Sequence, residues 1–335
     1  MAVNRAFRLA SRPVGLPSRE NFEFTEEPVG EPGPGEALVR VLYISLDPAM
    51  RGWMNDRRSY IPPVGIGEVM RAFAIGRVEE SRHQDFVPGN IVAGLLGIQD
   101  YAIVNGAGLT AIDPELAPLP VHLSALGMPG MTAYFGLLDI GRPEPGQTVV
   151  VSGAAGAVGQ LVGQIAKLQG ARVVGIAGGP HKCRYVVEEF GCDAAIDYKA
   201  GDVAAALREH CPKGIDVYFD NVGGEILDAA LAQLARRARV VICGAISQYN
   251  ATEPMTGPAN YMSLLVNHAS MTGFVVTDYA RRYPEGMQAM AGWLESGEIR
   301  SREDIVDGLE TFPETFLKLF TGENEGKLML RVEED

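Results

Sequence analysis

The sequence predicts an α/β fold in two domains: a compact, mainly β domain, then a doubly wound parallel sheet. Three observations support this. At 335 residues the chain is about twice one domain of roughly 150 residues. Residues 1–124 are rich in Pro and Gly around short β-like runs, whereas strands and helices alternate from residue 148 onward. A glycine-rich turn stands where the first of those strands meets the first helix.

Composition limits the function classes. Hydrophobic residues make up 47% and charged residues 21%, a globular balance. A net charge of −13 repels nucleic acid and anionic lipid, so neither is an expected partner. The uncharged stretch Val149–Gln164 is broken by Gly, Ser and Gln and is too short for a membrane span. Met1–Arg12 carries Arg5, Arg8 and Arg12 without an apolar core, so it does not read as a secretory signal. Cys183, Cys192, Cys211 and Cys243 are scattered, which argues against a disulfide scaffold and for a reducing, cytoplasmic setting.

In the first domain the strand-like runs are Ala37–Tyr43, Ala74–Val78, Asn90–Leu96 and Tyr101–Val104. Turn formers such as Glu31-Pro32-Gly33-Pro34-Gly35 and Pro88-Gly89-Asn90 separate them. Helical character begins near His122. Thr148–Val151 then reads as a buried strand, and Val158, Leu161, Val162, Ile165 and Leu168 share one helical face. Arg172–Ala177, Ala194–Ile196, Ile215–Phe219, Val240–Cys243 and Met271–Val276 read as further strands. His181–Phe190, Val203–His210, Ile226–Leu234 and Ala259–Val266 read as the helices between them. Such alternation requires crossovers, hence a parallel sheet covered on both faces. The tail reads as a helical pair, Glu303–Leu309 and Pro313–Phe320, followed by a strand, Lys327–Val332.

The turn is Ser152-Gly153-Ala154-Ala155-Gly156-Ala157-Val158-Gly159. A strand, a glycine turn and a helix N-terminus make an anion site, because outward amides and the helix dipole both favour negative charge. Ala155, Gly156, Ala157 and Val158 are the candidates to face a dinucleotide pyrophosphate, and Gly159 to let helix and sheet pack closely. Ala154 stands where the standard fingerprint has glycine. The second strand ends in Ala177-Gly178-Gly179-Pro180-His181-Lys182, without the carboxylate that bonds an NAD ribose. Gly178, in the glycine turn there, is a candidate cofactor contact, and Lys182 would attract the 2′-phosphate of NADP. The five histidines, His83, His122, His181, His210 and His268, form no two-His motif, and no catalytic metal is expected. The chemistry then falls to the cofactor, with the protein supplying orientation and electrostatics.

These features, with other stretches along the chain, resemble a known family. The stretches include Pro34-Gly35-Glu36-Ala37-Leu38-Val39-Arg40-Val41, Ser45-Leu46-Asp47-Pro48, Pro129-Gly130-Met131-Thr132-Ala133-Tyr134 and Ile196-Asp197-Tyr198. Phe219-Asp220-Asn221-Val222-Gly223-Gly224, Ile246-Ser247-Gln248-Tyr249-Asn250 and Gly257-Pro258-Ala259-Asn260-Tyr261 continue the set. Together they resemble the NADPH-dependent alkenal/one double-bond reductases, zinc-independent members of the medium-chain dehydrogenase/reductase superfamily. The zinc-bearing relatives carry Gly-His-Glu where this chain has Ile66 in the histidine place, beside Gly67 and Glu68.

The resemblance implies a GroES-like catalytic domain over residues 1–124, completed by 279–335, and a Rossmann domain over 125–278. It implies a homodimer, with NADPH/NADP as cofactor. It places Lys182 on the 2′-phosphate with Tyr198 nearby, Met131 and Thr132 along the nicotinamide, and Asn221 beside it. Gly244 and Ser247 fall where the cofactor crosses the next strand end. Tyr261 would face the nicotinamide ribose and the substrate carbonyl as the catalytic residue, a role favoured because a buried tyrosine hydroxyl needs a partner. Ala49, where the family commonly has tyrosine, Tyr60, Ile98 and Tyr249 would line the substrate pocket. The implied reaction reduces the C=C bond of a small α,β-unsaturated aldehyde or ketone, with hydride to the β-carbon and a proton to the α-carbon. Quinone reduction, and NADP binding without catalysis, stand as alternatives.

Overall fold

Turn-rich sequence and short apolar runs give a β-unit at the N-terminus of the computed structural model, which describes residues 2–333. Strands β1 (Val3–Leu9) and β2 (Phe22–Pro28) pair antiparallel. Strand β3 (Ala37–Ser45), helix α1 (Ala49–Trp53), β4 (Phe73–Ser81), β5 (Ile91–Leu95), β6 (Tyr101–Val104) and β7 (Thr110–Ala111) follow. All of β3 except Arg40 is buried, as suits a strand in the middle of its sheet.

The second unit, Ser124–Arg302, begins with α2 (Met128–Phe135) and then alternates. Its elements are β8 (Thr148–Ser152), α3 (Gly159–Leu168), β9 (Arg172–Ala177), α4 (Pro180–Glu188), β10 (Ala194–Asp197), α5 (Val203–His210) and β11 (Ile215–Asp220). Next come α6 (Gly224–Leu231), β12 (Leu234–Ile242), α7 (Ser263–Val266), β13 (Ser270–Gly273) and α8 (Tyr283–Glu295). The strands form one parallel sheet in the order β10-β9-β8-β11-β12-β13, and the order reverses direction at β8, where the glycine turn stands. Val150, Val174, Ile176, Tyr218 and Val240 are central to its core.

The chain then returns to the first unit through β14 (Glu303–Asp307), α9 (Phe312–Thr321) and β15 (Lys327–Arg331). The larger sheet there runs β14-β15-β3-β4-β5-β7, with β6 also on β3. Lys327 is 1% exposed, and its Nζ donates to Leu46 O (2.7 Å) and Asp47 Oδ1 (2.8 Å). Burial pulls its pKa below the usual lysine value, against the Asp47 charge.

Several expectations change. Glu303–Leu309 is not helical: β14 pairs parallel with β15, and Gly308, at φ 94°, ends it. Its Ile305-Val306 pair is β-branched, which favours a strand. The expected domain boundary at residue 279 moves to 303. Gln160 and Gln164, both buried on α3, explain it. Gln164 holds Arg300 N (2.8 Å) and O (2.9 Å), and Gln160 holds Arg302 N (3.0 Å) and O (3.2 Å). Phe135 also stacks on Tyr279 with centroids 4.7 Å apart. Ala259–Val266 divides into a tight turn, Ala259–Met262, and α7. The strand expected at Met271–Val276 is Ser270–Gly273.

The alanine in the glycine turn has a structural counterpart. Gly175 of β9 lies against it: a Cβ on Gly175 would stand 2.8 Å from Ala154 Cβ and 2.7 Å from Val186 Cγ1. The glycine missing from the turn is thus matched by one on the neighbouring strand. Gly175→Ala is expected to lower unfolding stability by about 1–3 kcal/mol through overpacking. Adding Ala154→Gly should recover part of that loss in denaturant titrations. A double variant no more stable than Gly175→Ala would show that Ala154 is not the limiting contact.

Candidate cofactor-binding site

At the end of β8 the chain turns through Gly153 (φ 61°), and α3 starts at Gly159. The turn is tied down from beneath. Ala154 N donates to Ile176 O (3.0 Å), Gly156 N to Gly153 O (2.9 Å), and the buried Tyr185 hydroxyl to Ala155 O (3.2 Å). A Cβ on Gly159 would lie 2.2 Å from Gly153 O, so the helix starts against the turn itself. Ala155, Gly156, Ala157 and Val158 lead directly into α3, whose first amides are engaged, Gln160 N on Gly156 O (3.1 Å) and Leu161 N on Val158 O (3.1 Å), so the amides that face an anion are those ahead of the helix, at Ala155, Ala157 and Val158. This cradle fits a pyrophosphate.

The end of β9 forms the second part. Tyr198 follows β10, and its ring covers Gly178: a Cβ there would be 2.8 Å from the ring. Lys182 lies in the first turn of α4, which also carries His181 and has no acidic residue. Cations at a helix N-terminus oppose the macrodipole, so this arrangement suits an anion held there. The β9 end lacks a carboxylate of its own, but the structure brings one from the next strand. Asp197 pairs in register with Ala177, and its Oδ1 accepts from Gly179 N (2.8 Å) and Lys199 N (2.9 Å). Two backbone amides thus hold this carboxylate as part of the turn. Reading the β9 end alone misses it; the strand register is the signal.

The end of β11 holds the third part. Asn221 lies beside Gly153, and its Nδ2 donates to Ser152 O at 2.7 Å. Asp220, fully buried, receives Ser152 Oγ (2.8 Å), Tyr218 OH (3.0 Å), Val222 N (3.1 Å) and Gly223 N (3.0 Å). Gly244 N donates to Asp220 O (3.1 Å), joining the β12 end to the β11 end. Ser247 Oγ donates to Val222 O (2.6 Å). The sheet order therefore brings Gly156, Lys182, Tyr198, Asn221, Gly244 and Ser247 to consecutive strand ends on one edge of this unit.

Other expected residues are placed differently. Met131 is buried, with Sδ 2.7 Å from where a Cβ on Gly286 would be, so its side chain is packed into α8. The Thr132 hydroxyl bonds Met128 O at 2.7 Å. The Tyr249 hydroxyl accepts from Ala245 N (3.3 Å) and so shapes the β12-end turn. Tyr261 is 58% exposed, so the argument from a buried hydroxyl does not hold. The turn that carries it is anchored instead by Asn260, which bonds Asp228 of α6 through Asn260 N at 2.7 Å. Ala49 and Tyr60 belong to the β-unit, where Tyr60 OH accepts from Trp53 Nε1 (3.3 Å). Ile98, expected in the pocket wall, is wholly buried in that unit's core, because Ile98 N on Met70 O and Phe7 N on Ile98 O fix its segment inside.

Comparison with known proteins supports the same assignment. Residues 5–112 match the family described as the N-terminal domain of oxidoreductase, and residues 157–292 the family described as zinc-binding dehydrogenase. Despite the second description, no group of three or more His, Cys, Asp or Glu among the described residues is placed to hold a metal. The chain is 48% identical to a putative NADP-dependent oxidoreductase, YfmJ, of Bacillus subtilis, covering 99% of this chain and 98% of that protein. It is 47% identical to the NADPH-dependent curcumin reductase of Escherichia coli, covering 99% and 98%. The crystal structure of CurA from Vibrio vulnificus in complex with NADPH superposes with a TM-score of 0.94 at 46% identity, covering 99% of this chain and 100% of that one. Whole-length likeness at this level, on a GroES-like and Rossmann pair of domains, means that the chain belongs to the zinc-independent alkenal reductase group of the medium-chain dehydrogenase/reductase superfamily.

Proposed function

We propose that this protein reduces the carbon–carbon double bond of an α,β-unsaturated ketone or aldehyde. It is an NADPH-dependent oxidoreductase. The observation that carries the finer reading is the whole-length likeness to a curcumin reductase, since curcumin's double bonds are conjugated to carbonyls. When bound, NADPH supplies the hydride that reaches the β-carbon. The amides of Ala155, Ala157 and Val158 would hold its pyrophosphate, with Gly156, whose own amide is bonded to Gly153 O, in the turn between them. Gly178, Lys182 and Tyr198 take the 2′-phosphate end, and Asn221, Gly244 and Ser247 orient the other end. Tyr261 donates to the substrate carbonyl as negative charge grows there, and Tyr261 or water returns a proton to the α-carbon. The 58% exposure of Tyr261 is compatible with this role, since the residue is accessible to an incoming ligand.

The protein is proposed to act as a cytoplasmic homodimer. No helix among the described residues is long and apolar enough to cross a membrane. Strand β13 ends the parallel sheet, and exposed Leu265, Val266 and Met271 lie on or beside it, an apolar edge that a second copy would cover.

NADPH consumption with a 3-alken-2-one, followed by product identification, tests the activity. A saturated ketone supports it; turnover of quinones alone would assign the protein to quinone reduction. Lys182→Ala should raise KM for NADPH roughly 10- to 100-fold and leave that for NADH unchanged, as loss of a charged hydrogen bond predicts. Equal effects on both cofactors would remove the phosphate role. Tyr261→Phe should lower kcat by about 10²–10³, and near-full turnover would transfer the role to another donor. Light scattering should give twice the monomer mass, falling to one in Leu265→Glu/Val266→Glu; a monomeric wild type would refute the dimer.

A further inference from the structure

We propose that Asp220 and Ser152 are positioning residues for hydride transfer, fixing the Asn221 amide in one orientation at the centre of the parallel sheet. The proposal rests on the functional reading above, in which Asn221 lies by the nicotinamide. Ser152 ends β8 and Asp220 ends β11, the two strands at the middle of the sheet, and both side chains are 0% exposed. The Ser152 hydroxyl bridges them: it donates to Asp220 Oδ1 (2.8 Å) and accepts Asn221 N (2.9 Å). Ser152 also holds the Asn221 side chain, since its carbonyl oxygen accepts Nδ2 at 2.7 Å. A carbonyl can only accept, so the amide cannot be flipped. Oδ1 is left to meet an N–H or O–H of a ligand.

A buried carboxylate is a costly way to shape a turn, because it must be fully hydrogen-bonded to be tolerated. Here Val222 N (3.1 Å) and Gly223 N (3.0 Å) reach Oδ1, and Gly223 N also reaches Oδ2 (3.1 Å). These contacts bind the carboxylate to both residues that follow Asn221. Asn221 is therefore held from both directions in the chain and through its side chain. Displacing a positioning group by about 1 Å can cost on the order of 100-fold in rate without loss of binding.

Tyr218 provides the control. It donates to the same Asp220 oxygen (3.0 Å) and its hydroxyl also meets the Ser152 side chain, but the bonds of Asn221 to Ser152 do not pass through it. The test measures NADPH affinity by fluorescence quenching, thermal stability, and single-turnover hydride transfer with 4-deuterated and ordinary NADPH. It uses whichever acceptor the wild type reduces, enone or quinone. Turnover of the enone by the wild type tests the functional reading; the variant-to-wild-type ratios test this one. Ser152→Ala is expected to slow hydride transfer roughly 10- to 100-fold, while NADPH affinity stays within about threefold. Asn221→Ala should slow it similarly, and Ser152→Ala/Asn221→Ala should be no slower than Asn221→Ala alone. Tyr218→Phe should lose stability but keep the hydride rate. Asp220→Asn, if it folds, should behave as Ser152→Ala. Slowing that adds in the double variant, an unchanged rate in Ser152→Ala, or a loss that tracks thermal stability across all variants would overturn the proposal.

Discussion

Gly159 has no room for a side chain, because the Gly153 carbonyl and the Ala154 Cα stand where its Cβ would go, at 2.2 and 2.8 Å. That close approach sets where α3 begins, and the rest of the parallel-sheet unit is arranged around it. It brings the first helical amides to the end of β8. It presses Ala154 towards β9, which answers with Gly175. On its buried face the same helix carries Gln160 and Gln164, and these hold the backbone of residues 300–302. One helix placement therefore governs the candidate phosphate cradle, the packing of the sheet beneath it, and the extent of the unit.

The electrostatics show a local exception to the overall balance. The chain is acidic, with a net charge of −13. The start of α4 is nevertheless free of acids and carries His181 and Lys182, with Lys199 near the ring of Tyr198. The nearby Asp197 is turned into the β9-end turn, where the Gly179 and Lys199 amides engage its Oδ1. On the proposed reading, selectivity for a phosphorylated cofactor would rest on Lys182 placed at a helix N-terminus, within a surface that repels most other polyanions.

How much could be read from sequence depended on the range of the interaction concerned. The glycine turn, the strand Arg172–Ala177 and the helix Val203–His210 were legible because local pattern and turn chemistry determine them. Strands β1 and β2 were not: Val3-Asn4-Arg5-Ala6-Phe7-Arg8-Leu9 and Phe22-Glu23-Phe24-Thr25-Glu26-Glu27 mix apolar and charged residues, which hides the strand pattern although Pro13, Gly15 and Pro17 mark the turn between them. The segment at 303–307 was misjudged because its strand identity comes from β15, distant in sequence. At the site, Gly156, Lys182 and Asn221 follow from motifs. Asp197, Ser152 and Asp220 act across strands, and only register reveals such partners. The exposure of Tyr261 and the burial of Ile98 depend likewise on tertiary packing.

The return of the chain to its first unit bears on how the protein is made. β3 is flanked on one side by β4; it also pairs with β6 along Ala37–Arg40 and with β15 along Tyr43–Ser45, where Leu330 pairs with Ile44. Lys327 reaches Leu46 from that last strand. On the ribosome, the continuous stretch Ser124–Arg302 has all its own strands in hand before β15 emerges. Until then the Tyr43–Ser45 end of β3 keeps an unpaired edge, the kind of surface that recruits stray strands. The nascent β-unit therefore waits, with that edge open, for nearly the whole of translation. Chaperone occupancy of the unfinished chain should concentrate there.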